Sequence, residues 1–420
     1  MDADKLRRIR EEFAREHADV KRAVVAFTGG LDTTVAVALL QEMGVKVITV
    51  TLDIGQTRDL RDVAKKAEAM GVERHYTIFA RDEFINEYVA RAIKANCLWE
   101  GELNSEGLSR PLLCKYLAEV AEKEGAQAVV HGSTGIGNDQ IRFDASLRAI
   151  APHLKVLAPI RDWDLKREEE LAYAKERKLA KLKEKPRPYS TDENIWGRSI
   201  KSGPLEHPEL EVPEDAFAWT VAPEKAPPKP QFIELSFHMG IPRVLRVLDE
   251  KKRVVEETGN VIERLNKLAG AHGVGRMDHM EDKAVGLKIR EVYEAPAAYC
   301  IITAHKELEK LVLTKRELDT KAGIDYTWNR LVDEGAWYTP LREALDAFID
   351  KTQERVSGSV MLKLFKGNAS VVAKKSKYAL YDAFLSSATA EGIFSRRDAR
   401  AFAKLYGLQD IIAYWIRKSA

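Results

Sequence analysis

Ala23–Phe27 (AVVAF) is an unbroken apolar run, and after a glycine turn Val35–Met43 sets its apolar residues at helical spacing. The pattern then repeats. Val45–Leu52 predicts a second strand, Leu60–Met70 a helix, His75–Phe79 a strand, Leu108–Lys123 a long helix and Ala128–His131 another strand. Near-continuous apolar strands alternating with amphipathic helices belong to a parallel sheet covered on both faces. Upstream, Asp4–His17 has sparse apolar positions among interleaved charges and predicts an exposed helix before the first strand.

The alternation fades after Lys155–Ile160 and the charged helical pattern Lys166–Lys183. From Lys185 to Pro230 no period is legible, and prolines crowd its end at Pro223, Pro227, Pro228 and Pro230, as in a crossover between domains. Beyond it, strand patterns at Phe232–Phe237 and Ala297–Thr303 mix with helical ones at Val261–Leu268 and Leu341–Thr352. Val360–Phe365 and Ser370–Ala373 predict a hairpin turned at Lys366-Gly367-Asn368. The last patterns, Arg397–Tyr406 and Asp410–Arg417, include Ile411, Ile412, Tyr414, Trp415 and Ile416. These have no later segment to cover them, and they fit either a subunit contact or packing on the parent domain. The fold class is α/β: a doubly wound parallel-sheet nucleotide-binding domain, then an α+β domain and a C-terminal helical tail.

A chain of 420 residues has room for two or three cores. Its formal charge of +2 provides no field that favours nucleic acid. Cys97, Cys114 and Cys300 are widely spaced and form no CxxC pair, so neither a disulfide framework nor a zinc site is indicated, and a reducing cytoplasm is expected. Met1–Arg22 is charged, and no apolar run approaches ~18 residues; export and membrane insertion are not expected.

Ala26-Phe27-Thr28-Gly29-Gly30-Leu31-Asp32-Thr33-Thr34 lies between the first strand and its helix. Paired glycines let backbone approach a phosphate, the helix N-terminus directs N–H groups at it, and three threonines add hydroxyls. The run also fits a plain tight turn with threonine caps. It is neither GxxxxGK[ST] nor GxGxxG, so it is a third kind of phosphate loop. It resembles the SGGLDTS-type motif of the ATP pyrophosphatases, which cleave ATP between its α and β phosphates to adenylate a substrate, with Thr28 and Thr34 in place of serines.

His131-Gly132-Ser133-Thr134-Gly135-Ile136-Gly137-Asn138-Asp139-Gln140-Ile141-Arg142-Phe143 follows a predicted strand. Glycines open the loop, and polar groups of both signs suit a zwitterionic amino acid. The run is similar to the HGxTGKGNDQxRF signature of the argininosuccinate synthase family, departing at Ile136, where the family has lysine. Without that cation, Lys115, Lys201 or another group would have to face the polyphosphate. Asp53-Ile54-Gly55-Gln56, Leu108-Ser109-Arg110-Pro111, Tyr189–Ser199, Gly273–Asp278, Val292-Tyr293-Glu294 and Lys363–Asn368 extend the resemblance over nearly the whole chain.

The resemblance implies an ATP-dependent ligase joining citrulline to aspartate, with AMP and pyrophosphate released, working as a homotetramer with Mg2+ on the polyphosphate. It implies ATP on Ala26, Phe27, Thr28, Gly29, Gly30, Leu31, Asp32, Thr33 and Thr34, with Leu52 and Gly132. Thr134, Asn138 and Asp139 would hold aspartate, and Asn138, Arg142, Ser190, Ser199, Glu281 and Tyr293 citrulline. Asp32 and Asp139 are the catalytic candidates. The expected divisions are an extension over 1–22, a nucleotide-binding domain over 23–185, a synthetase and multimerisation domain over 186–395 and an oligomerisation helix over 396–420. Glu102 falls where the family has a tyrosine, and Asn104–Gly107 departs from the family's GTS. Two other readings stay open: the same ligation with a different ureido or carbonyl acceptor, and a nucleotide-binding homologue without catalysis.

Overall fold

A computed structural model describes residues 1–98, 103–179, 188–248, 253–383 and 397–419. Strands β1 (Arg22–Ala26), β2 (Lys46–Asp53), β3 (Arg74–Phe79), β4 (Ala128–Val130) and β5 (Lys155–Leu157) form one parallel sheet in the order β3-β2-β1-β4-β5. The apolar runs read as strands fall there because β1, β2 and β4 are buried almost throughout. Helices Leu31–Glu42, Leu60–Ala69, Ser105–Glu124 and Asp139–Ile150 connect or cover them. The chain winds outward through β2 and β3, then returns to the other side of β1 for β4. The carboxyl ends of β1 and β4 therefore flank the point where winding reverses, the usual ligand crevice of an open parallel sheet.

The helix before β1, Ala3–Glu16, is amphipathic rather than merely exposed. Ile9 and Phe13 are buried, Ile9 among Val35, Leu39 and Ile160, and Phe13 edge-on to Trp163 at 6.4 Å. The helix expected over Lys166–Lys183 spans Arg167–Glu176, and its expected end from residue 180 lies outside the described residues.

The second half carries two antiparallel sheets. β8 (Gln231–His238), β9 (Ile241–Val247), β10 (Val254–Glu256), β13 (Gly358–Phe365) and β14 (Asn368–Lys375) are ordered β10-β9-β8-β13-β14. β6 (Ser190–Glu193), β7 (Arg198–Lys201), β11 (Arg276–Asp282) and β12 (Lys288–Glu294) are ordered β11-β12-β7-β6. The stretch without legible period thus contains the hairpin β6–β7, whose sequences STDE and RSIK have no apolar alternation. Ala297–Thr303, expected as a strand, belongs to the helix Pro296–Val312. Pro296 at its first turn favours that start, and burial of Ala297, Ala298, Cys300, Ile301 and Ile302 on several sides erases the helical period from the sequence.

The chain forms two compact units, Met1–Tyr378 and Ala379–Ala420. Within the second, helices Asp398–Leu405 and Leu408–Ser419 meet at Gly407, and Trp415 and Ile416 are exposed at 62% and 65%. Among the described residues, no helix is long and apolar enough to cross a membrane.

Candidate active site

The residues expected to form the phosphate loop follow β1. The N–H of Phe27 donates to the Val50 carbonyl at 2.8 Å, which locks the loop's entry to β2. Gly29 turns the chain at φ +66°, and Gly30 caps the helix Leu31–Glu42, whose first N–H groups have no partner inside the helix. Thr28 Oγ1 accepts from the Gly30 N–H at 3.2 Å and lies 3.3 Å from Thr33 Oγ1. The Thr34 hydroxyl donates to the Gly30 carbonyl, so Thr28 and Thr33 are the hydroxyls nearest the open turn. Asp32 accepts from Arg167 Nη1 at 2.9 Å.

Gly132, after β4, shows how closely the two loops approach. A Cβ there would lie 2.9 Å from Thr33 Cγ2 and 3.3 Å from Thr33 N. Leu52, at the end of β2, is buried, and its carbonyl accepts from Gln56 Nε2 at 2.6 Å. Ala26–Thr34, Leu52 and Gly132 are therefore gathered at the carboxyl edge of the parallel sheet.

Asn138, Asp139 and Arg142 start the helix Asp139–Ile150. Asn138 stands at its N-cap yet makes no capping bond. Its amide instead donates to Asp333 Oδ2 at 2.9 Å, and its oxygen accepts from the Ala284 N–H at 2.9 Å. A cap forgone for distant contacts is the kind of local exception that marks a site. Asp333 ends the helix Lys315–Asp333, which starts at a capping box. There the Glu317 carboxylate accepts from the Thr314 N–H at 2.8 Å, and Thr314 Oγ1 from the Glu317 N–H at 3.3 Å. Arg142, one turn after Asp139, donates to Asp139 Oδ1 at 3.0 Å, to the Asp333 carbonyl at 2.8 Å and to the Asp333 carboxylate.

Arg110 reaches the same carboxylate from the helix Ser105–Glu124, with Nη2 at 2.6 Å from Asp139 and 3.0 Å from Asp192. Burial opposes the charge on Asp139, but Arg110 and Arg142 hold it well below the usual carboxylate range. Such a carboxylate is a weak base and a strong electrostatic anchor.

Ser199, Glu281 and Tyr293 come from three neighbouring strands. Tyr293 pairs in register with Ser199, and the i, i+2 alternation puts Ser199 with Lys201, and Glu291 with Tyr293, on one face. Tyr293 donates to Glu291 at 2.6 Å and to Glu281, Ser199 bonds Glu106, and Lys201 lies 3.1 Å from Glu106 and 3.0 Å from Glu291. Lys283 pairs with Glu281 and, at 2.9 Å, with Glu291. Burial and then the Glu291 charge push Glu281 up to about 8. Burial also opposes the charge on Glu291, yet Lys201 and Lys283 hold it well down. Burial pushes Glu106 up against the opposing pull of Lys201, and the charges of Asp192 and Asp139 add to the rise.

Thr134 and Ser190 are exposed at the rim. Ile136 is 55% exposed, Lys115 is tied to Glu83 at 2.8 Å, and Lys201 is engaged by Glu106 and Glu291. Neither lysine is left for a polyphosphate. Glu102 lies outside the described residues. Glu106, Glu291, Lys283 and Asp333 had no assigned role from sequence, since single charges on short elements carry no signal of what they face; Lys201 was named only as a stand-in cation for the polyphosphate, and Arg110 was visible within the LSRP run.

Glu106, Asp139 and Asp192 bring carboxylate oxygens within 4.8 Å of one another. Arg110 and Lys201 already lie against them, so the trio is neutralised by guanidinium and ammonium groups and does not suit a metal ion.

Two family models match the chain: the Arginosuccinate synthase N-terminal HUP domain over residues 22–180, and the Arginosuccinate synthase C-terminal domain over 189–413. Among curated proteins, the chain is 47% identical to the argininosuccinate synthase of Pyrococcus furiosus over 395 residues, 94% of each chain. It is 46% identical to that of Bacillus thuringiensis over 389 residues, 92% of this chain and 96% of the relative. With both halves matched, and with the glycine loop after β1 and an Asn-Asp-x-x-Arg helix start brought together at one crevice, the chain belongs to the argininosuccinate synthase family.

Proposed function

We propose that this protein is an ATP-dependent ligase that joins citrulline to aspartate, releasing AMP and pyrophosphate in arginine biosynthesis. The observation that supports this reading is the approach of the β1 loop to the β4 loop, whose following helix starts with Asn138, Asp139 and Arg142. The ureido oxygen attacks the α-phosphate, an O–P bond forms and the bond to the β-phosphate breaks. The deprotonated aspartate amine then attacks the isourea carbon and AMP departs. Alignment and charge neutralisation supply most of the rate, because the leaving groups are good.

In this scheme Ala26–Thr34, Leu52 and Gly132 hold ATP, with Asp32 positioned in the loop helix by Arg167. Thr134, Asn138 and Asp139 receive aspartate. Asp139 orients its ammonium rather than accepting the proton, as its depressed pKa requires. Asn138, Arg142, Ser190, Ser199, Glu281 and Tyr293 receive citrulline. Magnesium enters on the phosphates of ATP as part of the substrate. Cys97, Cys114 and Cys300, all buried free thiols, suit a reducing cytoplasm.

An AMP-release assay over a panel of acceptors tests the function. Stoichiometric AMP that requires ATP, aspartate and citrulline together is the expected result, and no AMP with any acceptor would overturn it. A second reading rests on Glu106, Glu281 and Glu291, which crowd carboxyls around Ser199 and Tyr293. Such a pocket favours an acceptor whose ureido chain ends in an amine without the α-carboxylate. Faster turnover of an ω-ureido alkylamine than of citrulline would select that reading.

We also assign a homotetramer, with the exposed face of Leu408–Ser419 as a subunit contact. Protein cut after Gly407 should give smaller species by light scattering. An unchanged mass would remove the tail from the assembly.

A further inference from the structure

The loop after β1 is overhung by two cations for which no function has been assigned. Arg58 precedes the helix Leu60–Ala69, which Asp59 caps by accepting from the Arg61 N–H at 2.9 Å. Lys66 lies on that helix beside the buried Val63 and Ala67. The Arg58 guanidinium donates to the Thr28 carbonyl, and Lys66 Nζ donates to the Gly29 carbonyl at 2.8 Å. Both partners are backbone oxygens of the phosphate loop. Among the described residues, neither cation has a carboxylate within salt-bridge distance, whereas Arg110, Arg142, Lys201 and Lys283 each have at least two.

Like charges held together are unfavourable; only the Asp62 charge, beyond salt-bridge distance, supports Arg58, and burial, then the neighbouring Arg58, pull Lys66 below its ordinary pKa. An anion in the loop would relieve both. In the opposite loop Ile136 offers no charge, and Lys115 and Lys201 are committed elsewhere.

The sheet order decides which phosphates these cations would meet. β2 lies on one side of β1 and β4 on the other. The acceptor cluster follows β4, and Arg58 and Lys66 follow β2. In-line displacement at the α-phosphate places the departing pyrophosphate opposite the attacking oxygen, on the side away from the acceptor. We propose that Arg58 and Lys66 bind the β- and γ-phosphates of ATP and the pyrophosphate that leaves. The inference rests on the ligase reading above and deepens it.

Inorganic pyrophosphate is the probe, titrated calorimetrically into the full-length protein. Arg58→Ala should weaken binding by about tenfold and Arg58→Ala/Lys66→Ala by about a hundredfold, as expected when charged contacts to phosphate are lost. Arg58→Lys should recover most of the single loss, and Arg61→Ala, whose side chain pairs with Asp59, should change little. The slope of log affinity against log salt should become shallower in the double variant. NMR of the Lys66 ammonium should show its pKa rising when pyrophosphate is added, a response that a merely structural lysine would not give. Pyrophosphate affinity within twofold of wild type in the double variant, with its melting profile unchanged, would overturn the proposal. Wild type that binds neither pyrophosphate nor ATP would overturn the phosphate-loop reading itself, and AMP release separates that failure from this one.

Discussion

Gly29→Val should lower ATP-dependent AMP formation by about a hundredfold or more while the protein stays folded. Gly29 sits at φ +66°, where a β-branched residue is strained. A Cβ there would also come within 3.3 Å of Arg58 Nη2, 3.5 Å of Val63 Cγ1 and 3.7 Å of Lys66 Cδ. The loop would be displaced from both its helix cap and its cations, and an ångström of misplacement suffices for a loss of this size. Gly30, at an ordinary φ of −70° with only Thr28 Oγ1 near its Cβ position, should tolerate alanine better. AMP release and circular dichroism measured on the same preparations check both variants. Normal activity in Gly29→Val would take this loop out of the reaction.

Arg142→Ala should abolish detectable ligation and cost about 3–5 kcal/mol of stability, the usual consequence of stripping the cation from buried carboxylates. Arg142 is 4% exposed and touches Asp139 and Asp333, with Glu106 at 3.7 Å. Removing it leaves Asp333 with only the Asn138 amide among the described partners of its carboxylate. Denaturant midpoints for Arg142→Ala, Asp333→Asn and the double variant test the pairing. The double variant should be less unstable than the sum of the two singles, and strict additivity would deny the coupling.

The parallel half was legible in outline because β1, β2 and β4 are buried on both faces and so spell themselves as AVVA, VITVTL and AVV. Their loops bear glycines at positions fixed by a turn and a close approach. The second half was less legible for an opposite reason. β7, β11 and β12 present charged residues to the site, so RSIK, RMDHMED and KIREVYE resemble loops or helix surfaces. Nothing local distinguishes Asp333 from any acid in the last turn of a helix, or Arg58 from any exposed arginine. Their roles arise only when segments far apart in sequence meet.

Asp333 also sets an order of events during synthesis. Its bonds to Asn138 and Arg142 span 195 and 191 residues. A ribosome adding about 5–20 residues per second takes roughly 10–40 s to cover that distance. Once Leu157 has been added, the emerging chain holds all of β1 to β5, yet Arg142 and Asn138 still await Asp333. The parallel sheet can therefore form before the bonds that tie Asn138 and Arg142 to Asp333.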